Sequence, residues 1–244
     1  MDPLISFQGV HKGFGKVKVI KNLNMDLYEK EIYGFIGKSG AGKTTLLRIL
    51  IGYHPISSGK IIYKGQDVTK KQHIIRKLVG FCTQENSFYP ELTIKENLRY
   101  YGRMYDLPGK KLKEQVNHLL ELTDLKKSKN SLAKKVSGGM KRRLDFAISL
   151  IHDPEILILD EPTTGLDPII RGNIWKLIEQ IRDDGKTIIV TSHLLDFIEK
   201  HCDRVGILNH GRLLKAESPN KLSKLYPKAK NFTEVFKAIV KKDN

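Results

Sequence analysis

Gly37-Lys38-Ser39-Gly40-Ala41-Gly42-Lys43-Thr44 decides the fold. The eight residues follow the pattern G-x-x-x-x-G-K-[ST], the P-loop, whose context should be a strand before it and a helix after it. Glu31 to Ile36, just upstream, is apolar and predicted to be a strand. Thr44 to Ile51, with Thr45 in its first turn, is predicted to be a helix. Glycines allow consecutive backbone N–H groups to converge into a nest for phosphate oxygens. The helix start adds free N–H groups and the positive end of its dipole. In that setting Lys43 is placed to reach the β- and γ-phosphates of a nucleotide, and the Thr44 hydroxyl to hold Mg²⁺.

Working outward, short apolar runs alternate with stretches of helical period, the pattern of an α/β domain. Ile156 to Leu159, bounded by Pro154 and Asp160, suits a buried parallel strand. A carboxylate at such a strand's C-terminal end faces the crevice where an open α/β sheet binds ligand. Asp160 is therefore the candidate Mg²⁺ residue, and Glu161 the candidate general base for an attacking water. From Pro168, Ile170, Ile174, Leu177 and Ile181 mark one helix face, and Gly185 stops it. Thr187 to Thr191 is predicted to be a β-branched strand. Arg204–Leu208 and Arg212–Lys215 are predicted to form a hairpin around Asn209-His210-Gly211.

Two stretches differ in composition. From about Leu92 to Lys135 the chain is helical in character, and its portion from Pro108 onward carries a net charge of +5. It reads as an inserted helical subdomain, taken as about residues 88–145. The tail after about residue 217 also nets +5 from Lys215 onward, and Phe232, Val235, Phe236 and Ile239 mark an amphipathic helix in it. The expected units are residues 1–217 and a basic tail at 218–244.

The chain has 244 residues, 40% hydrophobic and 29% charged, which is a globular composition. Its two cysteines, Cys82 and Cys202, exclude a disulfide-stapled scaffold and suit a reducing compartment. No apolar run approaches the roughly 18 residues of a membrane span, and no signal peptide is expected. Any membrane role would need spanning helices from another subunit. The net charge is +16, but of the 43 basic residues 33 are lysine and 10 arginine. Lysine is a hydrated point charge, whereas base-edge recognition favours the arginine fork. The charge is therefore read as a solvated, lysine-rich surface, and no nucleic-acid partner is expected.

One further segment narrows the reading. Val136-Ser137-Gly138-Gly139-Met140-Lys141-Arg142-Arg143 lies before Asp160, with Ser137 23 residues upstream of it. It resembles the signature motif of the nucleotide-binding domain of ATP-binding cassette (ABC) transporters. The remaining motifs follow the family's order. Gln84 in Phe81-Cys82-Thr83-Gln84-Glu85 matches the Q-loop, and Gly165-Leu166-Asp167 the D-loop. His193 in Thr191-Ser192-His193 matches the switch histidine, and Phe14 falls where the family stacks an aromatic on adenine. The resemblance covers roughly residues 4 to 217. Val136 stands in place of the usual Leu and Met140 in place of Gln, while the Ser and Gly donors are intact. The Ser-Gly-Gly-Met-Lys-Arg-Arg form resembles the exporter branch that handles drugs, lipids and polysaccharides.

This resemblance implies a mixed sheet around the P-loop, an antiparallel β element near the N-terminus and the helical insertion. It implies ATP and Mg²⁺ as cofactors. Phe14, Gly37 to Thr45, Gln84 and Asp167 would contact nucleotide. Thr44, Gln84 and Asp160 would serve the metal, and Lys43, Glu161 and His193 catalysis. Ser137, Gly138, Gly139 and Met140 would contact the ATP of a second copy or a related ABC subunit. An integral membrane permease would complete the transporter at the cytoplasmic face of the membrane. The aromatic segment Ser87-Phe88-Tyr89-Pro90-Glu91-Leu92 either docks a helix of that permease or packs on its own chain. A soluble ABC ATPase acting on DNA or ribosomes is the competing class. Only 93 residues separate Thr44 from Ser137, too few for a long coiled coil, and the chain holds one cassette. A degenerate cassette without turnover is disfavoured by the presence of both Glu161 and His193.

Overall fold

The computed structural model describes residues 2–243; Met1 and Asn244, the outermost residues of the two units expected from the sequence, lie outside the described residues. The chain opens with β1 (Ile5–Phe14), β2 (Val17–Leu27) and β3 (Ile32–Gly37), then α1 (Lys43–Leu50), β4 (Ser58–Tyr63), β5 (Gln66–Asp67), α2 (His73–Leu78) and β6 (Val79–Cys82). A helical stretch follows, with α3 (Ile94–Met104), α4 (Gly109–Leu122) and α5 (Gly138–Ser149). The chain then returns through β7 (Ile156–Asp160), α6 (Pro168–Asp183), β8 (Thr187–Thr191), α7 (Leu195–His201), β9 (Arg204–Asn209) and β10 (Arg212–Glu217). It finishes in α8 (Pro219–Leu225) and α9 (Phe232–Lys241).

Two sheets result. The central one has the order β10-β9-β3-β8-β7-β6, in which β9 to β6 run parallel and β10 pairs antiparallel at one edge. The second, β2-β1-β4-β5, is antiparallel. The chain is thus the α/β fold with a mixed sheet and an N-terminal antiparallel element that the motifs implied. β3 and β8 are buried along their whole length, as central parallel strands covered on both faces must be. The period of two splits β7 cleanly. Leu157 and Leu159 enter the core shared with the helices, whereas Ile156 and Ile158 enter the core shared with α1 and the antiparallel sheet. From the tail, Leu222, Phe232, Val235 and Ile239 join the helix-side core.

Several helix starts are set by side-chain caps. Thr93 and Glu96 form a reciprocal capping box on α3, Ser137 caps α5, and Asp167 caps α6 with Pro168 in its first turn. α1, like α2, α4 and α7, starts without a side-chain cap. Its cap residue is Gly42, at φ 103°, which offers no side chain to the helix's free N–H groups. The expected three-residue hairpin loop is shorter in the structure. Asn209 pairs with Arg212, so only His210 and Gly211 turn the chain, both at positive φ. That is the two-residue turn whose twist matches its strands.

Candidate functional site

Parallel pairing brings four strand ends to one edge. β3 ends at Gly37, β7 at Asp160 and β8 at Thr191, with Asp160 opposite Thr191 in register. Gln84 lies two residues past the end of β6, and His193 two past the end of β8. A cleft of about 350 Å³ opens there, lined by Val19, Ser39 to Thr45, Gln84, Asp160, Glu161 and His193. It is the crevice at the carboxyl ends of the strands, where open α/β sheets bind ligands.

Its floor is the loop between β3 and α1. Gly37 is needed for packing, because a Cβ there would stand 2.4 Å from the Leu208 carbonyl on β9. The open start of α1 leaves donors of the kind that hold phosphate. The Lys43 ammonium donates to the carbonyls of Gly37 (2.6 Å) and Lys38 (3.2 Å), so it lies along the loop. Burial pulls its pKa down, while the Glu161 and Asp160 carboxylates push it back up.

The wall of the cleft is held by Thr191. Its hydroxyl donates to Asp160 Oδ1 (2.6 Å) and accepts the Glu161 backbone N–H (3.0 Å). Glu161 has left-handed backbone, φ 50°, which is rare for a residue with a side chain and clusters at functional sites. Its side chain is only 11% exposed. Oε2 accepts from Thr164 Oγ1 at 3.1 Å. Oε1 is buried and accepts no hydrogen bond, although His193 Nε2 stands 3.0 Å away, within ion-pair reach. A buried carboxylate oxygen without a donor is a free acceptor beside a phosphate cradle, suited to taking a proton from water.

Other sequence-predicted residues lie outside this cleft. Phe14 sits at the end of β1, 43% exposed, edge-on to His54 at 5.0 Å between ring centroids. Lys12 Nζ stands 4.7 Å from the Phe14 ring centroid. Ser137 to Met140 start α5 elsewhere on the surface; Ser137 and Gly138 are exposed, and Ser137 Oγ accepts the Met140 N–H at 3.3 Å. Asp167 Oδ1 accepts from Ile169 N and Ile170 N, both at 3.0 Å, in its capping role. Val19 and Thr191 were missed. Their only sequence signal was a place in a strand, which does not reveal that Val19 meets the P-loop or that Thr191 reaches Asp160, 31 residues back in the chain.

Also missed was Asp145 on α5, which is 1% exposed. Burial pushes its carboxyl up to about 6, against the pull of the Ser87 N–H and the Arg142 guanidinium. The folded protein thus binds this proton more tightly than the unfolded chain, whose carboxyl titrates near 3.8. Above pH 6 the buried charge lowers stability, by roughly 3 kcal/mol for a difference of about two pH units, and the loss fades as pH falls toward 4. Asp145→Asn should therefore melt higher than wild type at pH 7.5, with the gap narrowing by pH 5. A gap that does not change with pH would contradict this assignment.

The comparisons with known proteins agree with the geometry. A profile described as ABC transporter matches residues 20–164. The Nod factor export ATP-binding protein I of Rhizobium sp. (strain N33) is 40% identical over 218 residues, 89% of this chain and 72% of that protein. The linearmycin resistance ATP-binding protein LnrL of Bacillus subtilis (strain 168) is 35% identical over 211 residues, 86% of this chain and 68% of that protein. Among solved structures, cbiO1 from Clostridium perfringens, part of the ABC transporter complex cbiONQ, superposes with a TM-score of 0.84 at 25% identity, covering 93% of this chain and 97% of that one. With its P-loop cleft, its ordered motifs and these relatives, the chain belongs to the ABC transporter family, as an ATP-binding subunit with ATPase activity and exporter-type relatives.

Proposed function

We propose that the cleft binds and hydrolyses ATP, that a second copy completes it, and that its opening and closing drive a separate membrane subunit for export. The observation that carries this reading is the division of donors. The P-loop, Gln84, Asp160, Glu161 and His193 line one cleft, whereas the anion-ready start of α5 at Ser137 opens elsewhere. A head-to-tail pair with a two-fold axis would bring the Ser137 end of each chain onto the other's cleft and close both sites.

Within each site, the loop N–H groups and Lys43 bind the phosphates, and Phe14 stacks on the base. Glu161 Oε1 accepts a proton as water oxygen attacks the γ-phosphorus and the bond to the β–γ bridging oxygen breaks, leaving ADP and phosphate. His193 and Gln84 orient the water and the γ-phosphate. The donor set fits Mg²⁺. Thr44, Asp160 and Gln84 offer only oxygen ligands, and among the described residues no cluster of three or more His, Cys, Asp or Glu forms a closed metal cage. A hard cation held by one or two side chains and the phosphates is what such a site takes. When bound, it neutralises charge on the β- and γ-phosphates.

No helix among the described residues is long and apolar enough to cross a membrane. A second groove, of about 360 Å³, lies beside the Gln84 loop and is lined by Tyr53, Arg76, Phe81, Ser87, Tyr101 and Tyr105. Tyr53 is 68% and Tyr105 49% exposed, an amphipathic lining suited to a short helix of the membrane partner at the cytoplasmic face. Part of the Ser87–Leu92 segment is packed on its own chain. Tyr101 OH donates to the Ser87 carbonyl, and Tyr89 N donates to Asn97 Oδ1 (2.7 Å).

The pairing is tested with Glu161→Gln, whose amide cannot accept the water's proton. With ATP and Mg²⁺ it should elute as a dimer in size-exclusion chromatography, and as a monomer without nucleotide. A monomer at high protein concentration with saturating ATP would remove the two-copy site from this reading.

A further inference from the structure

α5 carries two buried charged side chains one turn apart, Arg142 at 7% exposure and Asp145 at 1%. Neither lines the ATP cleft. Arg142 spends its donors on main-chain carbonyls: Nη1 to Thr83 (2.6 Å), Nε to Pro162 (2.8 Å) and Nη2 to Asp160 (3.5 Å). Thr83 precedes Gln84, and Pro162 follows Glu161. Asp145 Oδ1 accepts the N–H of Ser87 at 2.7 Å, three residues past Gln84. One turn of one helix therefore grips the Gln84 loop on both sides and the Asp160–Glu161 turn on both sides. The same helix begins at Ser137.

Packing alone does not call for this pair, since well-packed apolar residues commonly replace buried charges without loss of stability. What the guanidinium adds is geometry. Its donors lie in one rigid plane, so carbonyls bonded to it are fixed relative to one another. Hydrogen bonds with an ionised partner are also about twice as strong as neutral ones.

We propose that Arg142 and Asp145 are positioning residues for ATP hydrolysis, fixing the Gln84 loop and the Asp160–Glu161 turn against the signature helix. The proposal rests on the reading of Gln84 and Glu161 as hydrolytic residues. Without these bonds, those two groups shift while the phosphate cradle, Ser39 to Thr45, stays in place. A misplacement of about 1 Å at reacting groups can cost about a hundredfold in rate. Losses that appear only in the transition state lower kcat and leave KM nearly unchanged.

The test measures kcat, KM for ATP and melting temperature in the full chain for Arg142→Gln, Arg142→Lys, Asp145→Ala and Asp145→Asn, with Lys43→Ala alongside. Arg142→Gln should lower kcat by about 10- to 100-fold with KM within about twofold, and Arg142→Lys should recover part of the loss. Asp145→Ala should lower kcat by about tenfold. Asp145→Asn, which keeps an oxygen for the Ser87 N–H, should stay within about twofold of wild type. A folded Arg142→Gln protein with wild-type kcat, or one whose loss lies in KM alone, overturns the proposal. If Arg142→Gln does not fold, the aspartate pair decides, and equal kcat for Ala and Asn at position 145 overturns it. An active Lys43→Ala protein would instead overturn the reading of the cleft, so the two failures are separable.

Discussion

Lys43→Ala protein should lose ATP hydrolysis by about a thousandfold or more, which is about 4 kcal/mol of transition-state stabilisation, and should bind ATP more weakly. In phosphoryl transfer there is little covalent work for the protein to do, and catalysis is positioning plus charge stabilisation. Lys43 supplies a full positive charge at the floor of the cleft. Its ammonium is already aligned along the loop by the Gly37 and Lys38 carbonyls. Burial disfavours its charge, and the facing carboxylates of Glu161 and Asp160 restore it. Phosphate oxygens in the cradle would add to that support. Alanine leaves the loop glycines and helix start in place, so some nucleotide affinity persists while the γ-phosphate loses its cation. Steady-state phosphate release at saturating ATP and Mg²⁺ measures the effect. Hydrolysis at the wild-type rate would mean that the P-loop does not hold the reacting nucleotide.

The frame of this site is written in short-range signals. Gly37, Gly42 and Lys43-Thr44 between an apolar run and an amphipathic one announce β3, the loop and α1, with boundaries shifted by one residue. Ile156 to Leu159 and Thr187 to Thr191 are legible because central parallel strands are continuously apolar and β-branched. Even α8 carried a usable signal, Ser218 before Pro219 as cap and first helical residue, which the apolar spacing around Phe232 overshadowed.

The rest depends on contacts that no local period encodes. Thr191 reaches Asp160 across 31 residues, Arg142 reaches Thr83 across 59, and Asp145 reaches Ser87 across 58. Each is decided by strand register or by the packing of α5 on β6, and a threonine, arginine or aspartate reads as surface or cap when met in sequence. The left-handed backbone at Glu161 is hidden for the same reason, because the residue is not a glycine or asparagine. Four motifs converge on one cleft while Phe14, Ser137 and Asp167 lie outside it, and that separation appears only in three dimensions.

The separation also leads to the second large effect. Ser137→Arg protein should bind ATP in its own intact cleft yet hydrolyse it at a small percentage of the wild-type rate, because a bulky cation would block the partner's γ-phosphate site. The lost helix cap costs about 1 kcal/mol, too little to unfold a domain. Mixing this protein with Lys43→Ala protein is the measurement that tests the shared site most directly. In a mixed dimer one site pairs both lesions, and the other pairs an intact P-loop with an intact signature. Random pairing makes half the dimers mixed, each with one good site, so two inactive proteins should together regain up to about a quarter of wild-type activity. Wild-type activity of Ser137→Arg alone would contradict the account, because the start of α5 would then complete no catalytic site.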